Sequence, residues 1–185
     1  DIYAGVRYRL KSGIFTFTPG FTFHSYNVNN TQTGSGEFKD TFTEFLPEFN
    51  MVMQFKNSES LTFDYRQSIN FLNVNQVAEG LVANNFNSFF YGNNNLTNGK
   101  AESTSLFYRS FNLYNGTTVF ARAAYTKTMN QIGGIANFIP GSVVSTGTNL
   151  NLPFDFENFS AFGTFRKTFR RVRAGISGNY NWNKS

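Results

Sequence analysis

The sequence predicts an all-β fold in which about eight antiparallel strands, filling residues 1–185 as one unit, cross a membrane as the wall of a barrel. Three observations predict this fold. Apolar and polar side chains alternate with a period of two, short turns alternate with long loops, and aromatic residues (18%) outnumber charged ones (15%) although the mean hydropathy is −0.34. A sheet with one face in lipid and one weakly charged face in water has this composition.

The alternation identifies the strands in chain order. Segments 2–10, 15–23, 49–55, 61–65, 119–125 and 172–182 carry apolar residues at nearly every second position, so each side of a strand has its own chemistry. Two segments are less regular. Aromatic residues occupy both phases of 103–114, and Phe162 is out of step within 159–169. No segment has a convincing amphipathic helical period, and none has the ~18 consecutive apolar residues of a membrane-spanning helix.

The connections support the same fold. Short polar turns are expected at Ser12-Gly13, 56–59, Asn115-Gly116 and Arg170-Arg171, and Asn-Gly favours a two-residue hairpin because both positions tolerate positive φ. Long loops rich in Asn and Gly occupy 27–39, 73–99 and 131–158. Outer-membrane barrels alternate short periplasmic turns with long external loops, and their tilted strands need about 9–11 residues to cross the bilayer. In a soluble sandwich, the alternative source of such alternation, long structureless loops are uncommon.

The two phases of the alternation predict two faces. The face expected to contact lipid comprises Phe15, Phe17, Phe21, Phe23, Phe49, Met51, Phe55, Leu61, Phe63, Val119, Ile176 and Trp182. The face expected to line a water-filled lumen carries Arg7, Arg9, Asp64, Arg66, Arg122 and Arg173. Charges are costly in hydrocarbon but are tolerated in a hydrated lumen.

Composition argues against several function classes. Without cysteine the chain has no disulfide, thiolate metal site or thiol nucleophile. His24 is the single histidine and is expected at the surface or barrel rim, so no His-based metal cluster or catalytic triad is available within the chain. We therefore predict no enzyme activity and no cofactor. The net charge of +5 is spread along the chain, apart from a group at 166–173 that straddles a tight turn, so nucleic-acid binding is not expected either.

Several motifs resemble those of a known family, and 42–132 is the stretch of greatest similarity. In chain order they are Pro19-Gly20-Phe21, Phe45-Leu46-Pro47 with Phe49, the strand LTFDYRQSIN at 61–70, Gly92-Asn93-Asn94-Asn95-Leu96, and Thr148-Asn149-Leu150. Their order and spacing resemble the barrel of TonB-dependent receptor-like outer-membrane proteins of the Bacteroidota type. The chain departs from that pattern at Phe71-Leu72, where the family has Arg-Pro, and at Asn94, where it has Pro.

The resemblance implies an integral outer-membrane transporter for nutrient uptake. The parent barrel would have about 22 strands, on the order of 500 residues at the spacing seen here, so this chain would be a segment of it. The chain has no recognisable plug domain or energy-coupling box and no signal peptide, and we expect its start to be processed or truncated. Implied partners are lipid and lipopolysaccharide, the rest of the barrel, a plug, TonB and a surface lipoprotein. Two alternatives stay open: a receptor-like barrel that serves as a scaffold subunit, and a complete eight-stranded barrel.

Two groups of residues are candidates for contacts with substrate, neighbouring loops or a partner protein. Asp64 and Arg66, two apart on one strand face, suit a lumen ion pair or a substrate contact. Phe89, Phe90 and Tyr91 are expected at the tip of a polar loop, where they would pack against neighbouring loops or contact substrate or a lid partner.

The charge of the inward face also predicts that the sheet stays open. Six basic residues are assigned to that face, with Glu48 and Asp64 as the main acids; the basic residues are Arg7, Arg9, Arg66, Arg122, Arg166 and Arg173. A closed eight-stranded barrel has a narrow interior filled by side chains, in which unpaired charges would cost several kcal/mol each. We therefore expect the first and last strands not to pair with each other.

Overall fold

A computed structural model describes residues 1–31, 37–77 and 80–185. Within these residues it contains thirteen strands and one 3₁₀ turn, Val74–Gln76, which Asn73 caps through its side chain. The strands are β1 (Ile2–Arg7), β2 (Leu10–Ser12), β3 (Phe15–Thr31), β4 (Glu37–Lys56), β5 (Glu59–Asn70), β6 (Leu81–Asn85), β7 (Ser88–Tyr91), β8 (Gly99–Asn112), β9 (Thr117–Met129), β10 (Ile132–Phe138), β11 (Ser145–Asn151), β12 (Phe156–Phe169) and β13 (Val172–Lys184). No helix in the described ranges is long and apolar enough to cross a membrane.

Among the described residues, nine strands form the main sheet in the order β1-β3-β4-β5-β8-β9-β12-β13, with β2 also paired to β3. Every pair in this sheet is antiparallel. The predicted sheet of about eight antiparallel strands in sequence order is confirmed. β1 and β2 divide one edge of the sheet, because the ladder breaks opposite Pro19, which has no N–H to donate. Tyr8 N–H still reaches Pro19 O at 3.0 Å across the break.

The four short turns lie where the sequence predicts them. Their central residues are Gly13-Ile14, Asn57-Ser58, 113–116 and Arg170-Arg171. Gly116 has φ +62° and Arg170 has φ 51°, the left-handed conformations that tight hairpins require. Main-sheet strands other than β1 and β2 have 12 to 20 residues, enough to cross a bilayer.

The sheet is open. β1 and β13 stand at its two ends, and no ladder joins them in the part of the chain that the structure describes. This confirms the expectation that the first and last strands do not pair.

The long connections are more ordered than predicted. Of the loop expected at 27–39, all but 32–36, which lie outside the described residues, extend β3 and β4. The loops expected at 73–99 and 131–158 contain β6, β7, β10 and β11, which form a second sheet in the order β10-β11-β7-β6. β7 and β11 pair in parallel, unlike the antiparallel strands expected throughout. We call this second sheet, with the residues that join it to the main sheet (71–77, 80–99 and 130–152), the loop cap.

The buried apolar core lies between the loop cap and the loop end of β3. Its members among the described residues are Val28, Leu72, Val77 and Leu96, each no more than 4% exposed, and Tyr26, Phe42 and Ile132 pack against them. Tyr26 also donates from its hydroxyl to Leu72 O at 3.2 Å. The core therefore joins the loop end of β3 to both long connections.

Candidate functional site: a two-faced sheet and its loop cap

The register of the main sheet assigns side chains to faces, because directly paired residues of antiparallel strands point to the same side. Eleven of the twelve residues expected to contact lipid share one side, here called the apolar face. The twelfth, Phe55, lies at the irregularity between Gln54 and Lys56, where the ladder assigns it no partner. The alternating apolar residues therefore form one continuous surface across the eight strands of the path from β1 to β13.

The opposite side is the polar face. Arg7, Asp64, Arg66, Arg122 and Arg173 all lie on it. Arg9 falls in the break between β1 and β2, where it lines a depression with Thr16, Thr18 and Asn50 of this face.

The apolar face has an uncharged band whose two borders are charged residues on β12. Along β12 only Phe159, Ala161, Gly163 and Phe165 point to this side between Glu157 and Lys167. Ten residues of strand rise about 33 Å, and a tilt of about 40° reduces that to about 25 Å across a membrane. This height matches the lipid-facing belt of outer-membrane barrels.

Charges and tyrosine hydroxyls mark both borders of the band. At the loop end, Lys127 contacts Asp155 at 2.9 Å and Lys184 contacts Glu157 at 3.4 Å. Tyr125 donates to Glu157 there at 2.9 Å. At the turn end, Tyr108 donates to Glu59 at 2.7 Å.

An aromatic row follows the loop-side border. Tyr125, Phe159 and Trp182 are directly paired across β9, β12 and β13, and Tyr180 packs on Phe159 with ring centroids 6.2 Å apart. Tyr and Trp prefer the membrane–water interface, because each has an apolar ring and a polar atom. The row therefore fits one of the two aromatic girdles of a membrane barrel.

On the polar face, Arg7 and Glu48 form a bidentate ion pair across three strands. Arg7 donates from Nε to Glu48 Oε1 and from Nη2 to Glu48 Oε2, and the second bond is 2.8 Å long. Gly20 lies between the two side chains: a Cβ there would stand 2.8 Å from Glu48 Oε1 and 2.9 Å from Arg7 Cγ. Because Gly20 of the Pro19-Gly20-Phe21 motif has no side chain, the side chains of the ion pair occupy that space.

Asp64 and Arg66 do not pair with each other among the residues that the structure describes. Asp64 instead accepts from Asn50 Nδ2 at 2.6 Å, because the two residues are directly opposed on β4 and β5. The ion pair suggested for Asp64 and Arg66 is therefore not formed. Both line a depression of about 550 Å³ with Arg7, Glu48 and Arg122.

The irregular segments place aromatic rings on the polar face. Phe107 and Phe162 flank Arg122 in the ladder, and Phe107 stacks on Phe120 at 6.4 Å. This explains why Phe162 is out of step in the sequence. The polar face carries mainly polar side chains over β1 to β5. Over β8 to β12 it also carries phenylalanine rings around Arg122.

In the loop cap, Phe89, Phe90 and Tyr91 occupy β7 between β6 and β11. The prediction that they form a loop tip is wrong, because the tip of that connection is at Phe86, which is 92% exposed. The three residues instead pair through their backbone with β11 of the other long connection.

Asparagine side chains join the two long connections to each other. Asn93, in the motif at 92–96, donates through Nδ2 to Asn149 O at 2.9 Å, and its backbone N–H reaches Gln76 O at 2.7 Å. Asn151 donates to Thr97 O and to Asn130 O, both at 2.9 Å, and accepts from Thr97 N–H at 2.8 Å. The sequence motifs at 92–96 and 148–150 are thus in contact, which their positions in the sequence do not reveal.

His24 stacks on Tyr3 with ring centroids 5.3 Å apart, and its Nδ1 lies 3.4 Å from Asp1 Oδ1. No group of three His, Asp or Glu in the described ranges is arranged to hold a metal ion.

The comparisons with known proteins identify the fold. No family model and no curated protein matches the sequence. The FrpB iron transporter of Neisseria meningitidis (F3-3 variant) matches 98% of this chain with a TM-score of 0.64 and 12% identity. The siderophore receptor PirA of Acinetobacter baumannii matches 98% with a TM-score of 0.53 and 12% identity. The chain has the fold of part of an outer-membrane β-barrel wall, and it spans 25% and 36% of the lengths of those two proteins.

Proposed function

We propose that this chain is a section of the wall of a TonB-dependent receptor-like barrel that transports a nutrient across the bacterial outer membrane. The uncharged band of about 25 Å on the apolar face carries the proposal, because a soluble barrel has no reason to match the thickness of lipid. The band is bordered by charges and aromatic rings, and it lies on a face where large apolar residues such as Leu106, Phe165 and Ile176 are exposed.

In this assignment the apolar face contacts lipid and the polar face lines the lumen. Arg7, Glu48, Asp64, Arg66 and Arg122 then belong to a hydrated inner surface against which a plug would lie. Phe89, Phe90 and Tyr91 stand on the outer side, where substrate, lipopolysaccharide or a surface lipoprotein would meet the loop cap.

Several observations support transport by a larger barrel over a complete small one. β1 and β13 each present an unpaired edge in the described chain, and an open edge in lipid leaves backbone groups unsatisfied. We propose that further strands pair with both edges. FrpB and PirA, whose folds match this one, are a transporter and a receptor, and this supports a role in binding and uptake without enzyme activity.

Cysteine scanning tests the membrane assignment, since the chain has no cysteine of its own. Single cysteines at Phe159, Ala161 and Phe165 should react with a lipid-soluble maleimide and resist a water-soluble one in outer membranes. Cysteines at the alternating positions Ser160, Phe162 and Thr164 should react with the water-soluble reagent. Equal reaction of both sets with the water-soluble reagent would contradict a membrane-embedded face.

Uptake distinguishes transport from a scaffold role. Deleting the full-length gene should abolish growth on the nutrient that the barrel imports, and an energy-coupling mutant should have the same defect. If deletion destabilises other outer-membrane proteins but every tested nutrient is still imported, the scaffold alternative is favoured.

A further inference from the structure

The charges of the main sheet are divided unequally between its two ends. We define the turn edge as the four short turns with four residues on either side: 9–18, 53–62, 109–120 and 166–175. It carries one acid, Glu59, and nine basic residues: Arg9, Lys11, Lys56, Arg109, Arg166, Lys167, Arg170, Arg171 and Arg173. The rest of the chain has seven basic and ten acidic residues, so the turn edge accounts for the net charge of +5.

Within the residues that the structure describes, no ion pair neutralises this positive charge. The five ion pairs formed among the described residues all lie outside the turn edge. Glu59 is engaged with the Tyr108 hydroxyl. Five of the nine cations belong to the polar face, namely Arg9, Lys11, Arg109, Arg166 and Arg173. Lys56 and Lys167 on the apolar face, with Arg170 and Arg171 in the turn, are therefore the cations available to an anionic partner on the lipid side.

Apolar side chains stand beside these cations. Leu113 is 78% exposed and Tyr114 fully exposed at one turn, and Phe169 and Val172 are more than half exposed at the next. The two turns form one surface, because Thr168 N–H donates to Gly116 O at 2.9 Å. Cations next to exposed aromatic and aliphatic groups are the composition of a membrane-interface anchor.

Lys167 shows how the patch meets the apolar face. It is the cation at the turn-side border of the uncharged band, and its Nζ lies 5.2 Å from the ring centroid of Phe169, two residues nearer the turn. Lysines beside an apolar surface place their aliphatic chain along it and extend the ammonium group towards water. The turn edge thus begins where the hydrocarbon would end.

We propose that the turn edge binds the headgroups of anionic phospholipids in the membrane leaflet on the turn side. This inference rests on the proposed membrane function. Guanidinium groups match phosphate oxygens in a bidentate manner, and each Lys or Arg at an anionic surface raises affinity about fivefold. The nearly acid-free composition of the edge favours an anionic lipid over a zwitterionic one.

The test uses the full-length protein purified from outer membranes in a neutral detergent. The variant Lys167→Gln/Arg170→Gln/Arg171→Gln removes three cations from the turn edge. The matched control Lys100→Gln/Lys127→Gln/Lys184→Gln removes three from the loop end. Native mass spectrometry then measures binding of phosphatidylglycerol and, separately, of phosphatidylcholine.

The parent protein should prefer phosphatidylglycerol, the turn variant should lose that preference by about tenfold or more, and the control should stay within about twofold of the parent. Equal loss in both variants, or no preference in the parent, would overturn the inference. So would displacement of the lipid by millimolar inorganic phosphate, which would indicate a site for the free ion. If the parent does not migrate as a heat-modifiable barrel, the proposed function fails as well; a barrel without lipid preference contradicts this inference alone.

Discussion

The main sheet and the loop cap are both β-structures rich in Asn, Thr and aromatic residues, but they bury their side chains differently. In the main sheet, large apolar residues such as Ile176 (74% exposed) and Phe45 (58%) remain uncovered by protein. In the loop cap, Leu72, Val77 and Leu96 are enclosed, and amide side chains join the two connections. One region has the burial pattern of a protein in lipid, the other that of a protein in water.

The difference shows why overall composition is ambiguous for this chain. The same residue types serve as lipid-facing cover at one level of the strand and as a packed core at another. Position along the strand, between or beyond the charged borders at Glu157 and Lys167, decides which role applies.

The largest effect should come from a charge in the uncharged band. Ala123→Arg lies on the apolar face, paired with Ala161 and Leu106, and should destabilise the folded barrel by about 2–4 kcal/mol, because arginine at the membrane midplane is poorly solvated. Urea unfolding in lipid vesicles measures this. The neighbour Ala124→Arg, on the polar face, is the matched control and should have little effect; an equal loss there would contradict the assignment of the faces.

Truncating the core of the loop cap should have a smaller and local effect. Leu96→Ala removes one of four buried apolar side chains and should cost about 2–3 kcal/mol of the cap's stability, because the cavity cannot be refilled by so small a core. Hydrogen exchange should report faster opening at 71–77 and 88–99 while the amides of β12 stay protected. A uniform loss of protection across both sheets would show that cap and main sheet unfold together.

Asn151→Ala should destabilise the cap by about 1–2 kcal/mol, since it removes hydrogen bonds to Thr97 and Asn130. Limited proteolysis should show earlier cleavage in the connections. Asn137→Ala, an exposed asparagine on β10, is the control and should leave the cleavage rate unchanged. Equal cleavage rates for the parent protein, Asn151→Ala and Asn137→Ala would show that the hydrogen bonds of Asn151 do not stabilise the cap.

The smallest effect is expected at the ion pair of the polar face. Gly20→Ala places a Cβ against Arg7 and Glu48 and should disturb their contact at a cost of about 0–1 kcal/mol, because the pair is solvent-accessible. Gly163→Ala, where the added Cβ meets nothing within 4 Å, is the control. A double-mutant cycle of Arg7→Gln and Glu48→Gln measures the coupling energy of the ion pair, and a value above about 2 kcal/mol would show that the pair is more shielded than its exposure suggests.

The sequence predicts the main sheet well because its signals are local. The alternation of Phe15 to Phe23 and the Asn115-Gly116 turn each depend on neighbouring residues, and both faces and all four turns follow from such patterns. The loop cap could not be predicted in the same way. Phe89 and Thr146 pair although 57 residues separate them, and nothing near either residue indicates that contact. For the same reason, the Asn50 partner of Asp64 was missed, since cross-strand register decides it.

The parallel pairing of β7 with β11 has a consequence for the order of assembly. The two strands are connected through β8, the 113–116 turn, β9 and β10, and the β8–β9 hairpin is what brings their ends together. Hairpins close in microseconds, whereas contacts between distant segments form later. The cap should therefore be the last part of this chain to acquire its structure, after the hairpins beneath it are complete.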